Sequence, residues 1–227
     1  MKNIVVLTGA GMSAESGIKT FRDAGGLWEG FEIEEVATPG AFEKNPKLVF
    51  DFYNQRRKQL FDVEPNKAHH YLKDLENYYN VTIITQNVDD LHERAKSSHI
   101  IHLHGELRKV RSTKDETYML DWETDLHLGD VDTKGNQLRP HIVWFGEPVP
   151  MLDKAIKIVE EADILVIIGT SMKVYPAASL INFIKFETPI YYIDPKPTIS
   201  KNNYKNLTLI KNGAVNGTKE LLKKLVY

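Results

Sequence analysis

The stretch Thr8-Gly9-Ala10-Gly11-Met12-Ser13-Ala14-Glu15-Ser16-Gly17-Ile18-Lys19-Thr20-Phe21-Arg22 follows an apolar run at residues 4–7. That run reads as the first buried strand of a parallel sheet. Gly9, Gly11 and Ala14 then fit the G-x-G-x-x-G/A turn that brings backbone N–H groups up to a pyrophosphate. An ordinary dinucleotide fold continues from such a turn into a long helix and a second strand ending in an acid. Here the chain reaches Gly17 and a polar passage through Asp23, Gly25 and Gly26. No strand with a terminal acid follows within about 20 residues, where the ribose-binding carboxylate belongs. The stretch is a phosphate-binding turn joined to a loop with a second task.

Outward from this turn, 227 residues suffice for one large domain carrying a smaller insertion. A composition of 42% apolar and 26% charged residues places the chain among soluble globular proteins. The formal net charge of −2 argues against nucleic-acid binding by bulk electrostatics, so no nucleic-acid partner is expected. No apolar stretch reaches the roughly 18 residues that span a bilayer, so no membrane association is expected. The first residues run directly into a strand, and a signal peptide is not expected. Cysteine is absent, which excludes disulfides, thiol nucleophiles and Cys-ligated zinc and fits a cytoplasmic location.

Short β-branched runs at 81–85, 99–103, 142–145, 164–168, 190–193 and 207–210 read as further strands. Helical patterns fall at 46–61, 66–78, 89–95, 152–161, 176–185 and 218–226, with Pro46 suited to a first helical position and Asn66 to an N-cap. The alternation implies an α/β fold, a Rossmann-like doubly wound parallel sheet covered on both faces. Residues 27–62 and 108–139 break it. They are expected to form a smaller inserted lobe, a helical module plus a ribbon-like module, leaving 1–26, 63–107 and 140–227 as the larger domain. The cleft between the two is the expected ligand site. Residues 108–139 are expected to pack through Val110, Tyr118, Met119, Leu120, Trp122 and Leu126.

Four strand ends carry residues suited to chemistry. Gln86, Asn87 and Asp89 end one strand and open a helix, at the edge where open α/β sheets bind ligands. An amide and a carboxylate two residues apart could hold a carboxamide and a ribose hydroxyl, or simply cap the helix. Strand alternation puts His102 and His104 on one side and Leu103 on the other. His104, beside Gly105, is a candidate general base or a structural histidine. Gly169, Thr170 and Ser171 precede a helix and suit a phosphate or ribose contact, or an ordinary turn. Asp194 could accept from ribose hydroxyls or start the turn before Pro195. Val143, Phe145, Gly146 and Glu147 could offer a backbone edge to an extended peptide, or form a core strand. Tyr53 and Arg56 share a helix face at i,i+3, either as a carboxylate clamp or as part of a solvated basic face.

In this order these motifs resemble the sirtuin family of NAD-dependent protein deacylases. The matching pieces are Gly9-Ala10-Gly11-x-Ser13, Ser16-Gly17-Ile18, Phe21-Arg22, Thr85-Gln86-Asn87-x-Asp89-x-Leu91-His92, His104-Gly105-Glu106, Val143-x-Phe145-Gly146-Glu147, Gly169-Thr170-Ser171 and Val174-x-Pro176-Ala177. Gly26-Leu27-Trp28, Ala37-Thr38-Pro39 and the Tyr53-x-x-Arg56 pair resemble the bacterial type III, desuccinylase-like subgroup. The resemblance implies NAD as cofactor, with Gly9, Ala10, Gly11 and Ser13 at the pyrophosphate and Gly169, Thr170 and Ser171 on phosphate and ribose. Asp194 stands where the family usually has Asn for the adenine ribose. Ala10, Ile18, Phe21, Asn87 and Asp89 would line the nicotinamide pocket, and Arg22 and Gln86 would position ribose and phosphate. His104 would be the catalytic base, with Asn87 and Asp89 assisting nicotinamide departure. Val143, Phe145, Gly146 and Glu147 would hold acylated-lysine protein substrates as an extended strand, and Tyr53 and Arg56 would accept succinyl or malonyl groups beside acetyl.

The implied products are free lysine, nicotinamide and 2′-O-acyl-ADP-ribose, made by a monomer. The same pocket could instead serve NAD hydrolysis or ADP-ribosyl transfer, or a non-enzymatic NAD sensor. Sirtuins usually hold a structural zinc with four cysteines. This chain has none and carries Ser112 near the first of those positions, so no zinc is expected.

Overall fold

The computed structural model describes residues 1–19, 30–200 and 202–226. Among the described residues nine strands form, β1 (Asn3–Thr8), β2 (Asn80–Thr85), β3 (Ile100–His102), β4 (Gly105–Ser112), β5 (Met119–Asp121), β6 (Leu138–Ile142), β7 (Ile164–Ile168), β8 (Ile190–Ile193) and β9 (Leu207–Ile210). The α-helices are α1 (Ile33–Val36), α2 (Pro39–Lys44), α3 (Pro46–Asp62), α4 (Lys67–Leu75), α5 (Leu91–Arg94), α6 (Leu152–Glu160) and α7 (Ala214–Val226).

Six strands make a parallel sheet in the order β3-β2-β1-β7-β8-β9. Its strands are apolar on both sides because both sides are covered. On one face Val5, Leu7, Ile84, Leu165 and Ile167 pack with Ala155 and Val159 of α6 and with Leu180 and Ile181. On the other, Ile4, Val6, Ile83 and Val166 pack with Leu72 and Leu75 of α4 and with Leu221 of α7. Each fully buried aliphatic side chain contributes about 1.5–3 kcal/mol, and β1 alone supplies four to these two layers. The chain leaves β1 in one direction and β7 in the other. Their carboxyl ends therefore form the switch point at which such sheets bind ligands.

The smaller lobe is helical on one side and a three-stranded antiparallel sheet, β5-β4-β6, on the other. Asn45 caps α3 by accepting from Leu48 N–H, with Pro46 at the first turn. Asn66 caps α4, and His69 Nδ1 accepts from the Asn66 N–H in return. Arg57, wholly buried on α3, donates to the Leu107 carbonyl on β4, to Asn54 Oδ1 and to the Thr124 carbonyl. Asn54 exchanges hydrogen bonds with both backbone groups of Leu126. These bonds join the helical module to the small sheet.

Four local expectations are corrected. Residues 142–145 do not form a strand of the large sheet: β6 ends at Ile142 and pairs with β4. Pro140 signals this, since a residue without an N–H is tolerated at a sheet edge, and β6 is an edge. The helix expected at 176–185 is a 3₁₀ segment, Ala177–Phe183, whose Ser179 hydroxyl donates to the Pro176 carbonyl in competition with the backbone. Helix α7 starts before Gly217 rather than after it. A Cβ there would run into Ile193 on β8, so the glycine marks close helix–sheet packing, not a helix end. In the small sheet Val110 and Leu126 are buried, with Tyr118 and Trp122 against them, whereas Met119 and Leu120 are exposed on the edge strand β5. Among the described residues no helix is long and apolar enough to cross a membrane.

Candidate active site

The glycine turn packs directly on the loop after β7. Gly9 N–H donates to the Ile168 carbonyl at 3.1 Å and Gly11 N–H to the Gly169 carbonyl at 2.8 Å. A Cβ on Gly11 would lie 2.6 Å from Gly169 Cα, and Gly169 itself adopts φ +62°. The glycines let two loops touch, and their own amides are taken by the protein. The amide of half-buried Ala10, between them, donates to no protein group among the described residues. An anion at this turn would meet the Ala10 amide first.

Ser13, expected at the pyrophosphate, has its hydroxyl engaged by the protein. It is fully buried, its hydroxyl donates to Asp89 Oδ2 at 2.9 Å, and it accepts from Asn87 Nδ2 at 3.1 Å. Ser13 thus ties the first turn to the pair at the end of β2. Asp89 Oδ1 accepts from the Leu91 N–H and so starts α5. The helix start and the Ser13 bond therefore fall on different oxygens of one carboxylate. Burial pushes the Asp89 carboxyl up to about 6, opposed by the hydrogen bonds from Ser13 and Leu91.

Three consecutive carbonyls after β2 are each held by the strand-end region of β3 and β4. Gln86 O lies 3.1 Å from His104 Nδ1, Asn87 O lies 3.1 Å from His102 Nδ1, and Val88 O accepts from Leu107 N–H. A carbonyl only accepts, so His104 carries its proton on Nδ1 and leaves the Nε2 lone pair available. Burial holds the His104 imidazolium below the usual histidine range, with the Gln86 carbonyl opposing it. Gly105, at φ +83°, turns the chain tightly against the His141 backbone and aims this histidine.

Gln86 Nε2 donates to Thr170 Oγ1 at 3.1 Å, and the Thr170 hydroxyl also accepts from Met172 N–H. Thr170 is buried and Ser171 half-buried at the end of β7. Asp194, buried at the end of β8, accepts from Lys196 N–H and so does begin a turn. A pocket next to these strand ends is lined by Ile18, Lys19, Arg56, Gln59, Leu60, Val88, Asp89 and Leu107. Phe21 and Arg22 lie outside the described residues.

Arg56 reaches that pocket from α3. Its guanidinium lies 3.4 Å over the Phe52 ring and donates to the Phe52 carbonyl. Tyr53 is fully buried behind it, and Trp144 Nε1–H donates to the Tyr53 hydroxyl at 3.0 Å. Burial pushes the Tyr53 phenol up, so it stays protonated. Val143 N–H donates to the His104 carbonyl and Phe145 N–H to the Ala37 carbonyl, leaving Phe145 and Gly146 exposed on the turn. Glu147 points inward. Its carboxylate pairs with Arg139 at 2.6 Å and Arg111 at 3.2 Å and accepts from Trp144 N–H. Burial raises this carboxyl, but the two arginines hold it below the usual range. The Glu147 side chain therefore anchors the turn instead of reaching outward.

The model of the Sir2 family matches residues 9–176. This chain belongs to the Sir2 family. Among its relatives, a Helicobacter pylori protein named NAD-dependent protein deacylase is 59% identical, over 100% of this chain and 98% of that protein. A Bacteroides thetaiotaomicron protein of the same name is 53% identical, over 100% and 99%. The NAD complex of a Sir2 homolog superposes with TM-score 0.87 at 43% identity, covering 98% of this chain and 89% of that one. An ADP-ribose complex of a Sir2 homologue gives 0.88 at 42%, covering 98% and 91%.

In this Sir2 chain, sequence reasoning missed Trp144, Arg139 and the contacts of His102. Trp144 and Arg139 flank the Phe145-Gly146-Glu147 motif. Their role could have been sought from an indole N–H and a guanidinium beside a buried carboxylate. Among the described residues no group of three or more His, Cys, Asp or Glu side chains could hold a metal ion.

Proposed function

We propose that this Sir2 chain is an NAD-dependent protein-lysine deacylase that removes acetyl groups and also acidic acyl groups such as succinyl and malonyl. The observation that carries the deacylase reading is that Asn87, Ser13 and Asp89 are hydrogen-bonded together while His104 Nδ1 is held by the carbonyl of Gln86, next to Asn87, at the sheet's switch point. NAD, when bound, supplies the ribose carbon from which nicotinamide departs and to which the acyl oxygen is joined. The Ala10 amide, Gln86, Thr170 and Ser171 would hold its phosphates and riboses, and Asp194 would meet the adenine ribose. Asn87 and Asp89 would hold the nicotinamide carboxamide in a site walled by Ile18. His104 Nε2 takes a proton, help typically worth about 10²–10⁴ in rate. The turn bearing Phe145 and Gly146 would carry the substrate peptide.

The acidic-acyl reading rests on Arg56, a cation lining the same pocket as Asp89. A carboxylate at the end of the acyl chain would gain a charge-assisted hydrogen bond there. Arg56→Met is expected to cost desuccinylation at least tenfold more than deacetylation, roughly the 1.5–3 kcal/mol of a charged hydrogen bond. Equal losses on succinyl- and acetyl-lysine peptides would remove the acidic-acyl reading and leave the deacylase one.

We further propose that the small sheet needs no zinc. Asp132 accepts from the Ser112 hydroxyl at 2.6 Å and from the N–H groups of Lys134 and Asn136. Ser112 in turn accepts from Lys114 and Asp115 N–H. These bonds join the end of β4 to the 132–136 turn.

A further inference from the structure

His102 sits two residues before the base and makes two contacts that a neutral histidine cannot make together. Its Nδ1 is 3.1 Å from the Asn87 carbonyl oxygen and its Nε2 is 2.7 Å from Glu93 Oε1. A carbonyl oxygen and an ionised carboxylate both only accept. With one ring proton, one contact would set a nitrogen lone pair against an oxygen lone pair. With two, both become hydrogen bonds, and the Glu93 contact becomes an ion pair whose His102 side chain is 9% exposed.

We propose that His102 is a positioning residue. Its doubly protonated ring bridges Glu93 on α5 to the Asn87 carbonyl and fixes the loop that presents Asn87 and Asp89 to the nicotinamide end of NAD. Its deprotonation sets the alkaline limit of turnover. This rests on the deacylase reading for its consequence in turnover, and on geometry alone for the charge state.

The charged surroundings favour the imidazolium. Glu93 from α5, Glu106 from β4 and Asp89 from the loop before α5 face His102, while Lys109 acts on Glu93 from β4. His92, also on α5, is buried and kept neutral, so it adds no competing positive charge. Burial pulls the His102 imidazolium down, but Glu93 and then Glu106 outweigh it and hold it above the usual histidine range. Burial likewise raises Glu93, but its bond to His102 brings it below the usual carboxylate range, so the proton resides on the ring. The charge reaches the site in a second way, because His102 lowers the Asp89 carboxyl that burial has raised. Loss of the His102 proton would break the bridge between Glu93 and the Asn87 carbonyl at one end and remove the charge that lowers the Asp89 carboxyl.

The test uses the full chain as wild type, Glu93→Gln and His102→Gln. Histidine ¹⁵N NMR of the apo protein is expected to find His102 doubly protonated at pH 7, and Glu93→Gln is expected to lower its midpoint by about one unit. NAD affinity and kcat/KM for an acetyl-lysine peptide are expected to fall on the alkaline side at that midpoint. Both falls should move down with it in Glu93→Gln, while the acid side stays fixed. His102→Gln is expected to bind NAD at least fivefold more weakly and to lose the alkaline fall in affinity. A neutral His102 at pH 7 overturns the proposal, as does an alkaline fall that ignores Glu93→Gln. A wild type that binds NAD with this pH dependence but turns over no peptide overturns the deacylase reading and leaves only the positioning of NAD. Should His102→Gln not fold, Glu93→Gln alone decides between these outcomes.

Discussion

The Ser13 hydroxyl donates to Asp89 Oδ2 across 76 residues of chain, at 2.9 Å and out of contact with solvent. The turn after β1 and the loop after β2 are thereby one hydrogen-bonded unit. The proposed phosphate cradle and the proposed nicotinamide site are coupled through this bond.

Removing that hydroxyl leaves the buried Asp89 Oδ2 without its donor while Oδ1 keeps the Leu91 N–H, a loss of about 1–3 kcal/mol. Ser13→Ala is therefore expected to lower stability by that amount in a denaturant melt. Because the Ser13 bond lowers the Asp89 carboxyl, the variant should also hold Asp89 further above its present value of about 6. Unchanged stability and an unmoved Asp89 titration would mean that the bond is incidental.

His104 is expected to be the titrating group of the acid limb. Burial holds its imidazolium below the ordinary histidine value of about 6.5, so activity should persist below that pH and fail only as the ring finally protonates. In His104→Ala the acid limb should disappear with turnover, while the fold and NAD binding remain. A variant with near wild-type turnover would exclude His104 as the base.

Asp89 should cost stability at neutral pH. Its folded value, about 6, lies above its unfolded value of 3.8. The contribution is favourable below pH 4 and is lost as pH rises through 6. A rise of about two units corresponds to roughly 3 kcal/mol as an upper figure. Asp89→Asn is thus expected to raise the melting temperature at pH 7.5, to close that gap near pH 4, and to abolish deacylation. A lower melting temperature at pH 7.5 would contradict a strained, functional carboxylate.

The proposal that the small sheet needs no zinc is open to two measurements. Elemental analysis of the purified chain is expected to find no stoichiometric zinc, and a chelator should leave the melting temperature unchanged. Asp132→Ala is expected to speed amide exchange across residues 110–138 while the large sheet stays protected. About one tightly held zinc per chain would refute the reading.

Much of this arrangement was legible in the sequence because strand ends carry their own signals. The parallel sheet could be read from β-branched runs flanked by Gly, Asp and Asn, and its edge from Gly9, Gln86-Asn87, His104 and Gly169. What stayed hidden depends on contacts between distant segments. Ser13 could be placed near a phosphate by its motif, but only the packed structure turns its hydroxyl to Asp89. Glu147 looks outward in a loop sequence, yet Arg111 and Arg139, both on the small sheet, draw it in. Gly217 looks like a helix breaker until Ile193 fills the space beside it. His102 was visible as a neighbour of His104, but its two acceptors lie 9 and 15 residues away in the chain.

The most direct test of the central claim is a mass-spectrometric product balance with NAD and an acyl-lysine peptide, for wild type and His104→Ala. One nicotinamide and one 2′-O-acyl-ADP-ribose are expected for each lysine freed by the wild type, and neither from the variant. Free ADP-ribose with the peptide still acylated, or ADP-ribose attached to protein, would contradict that claim.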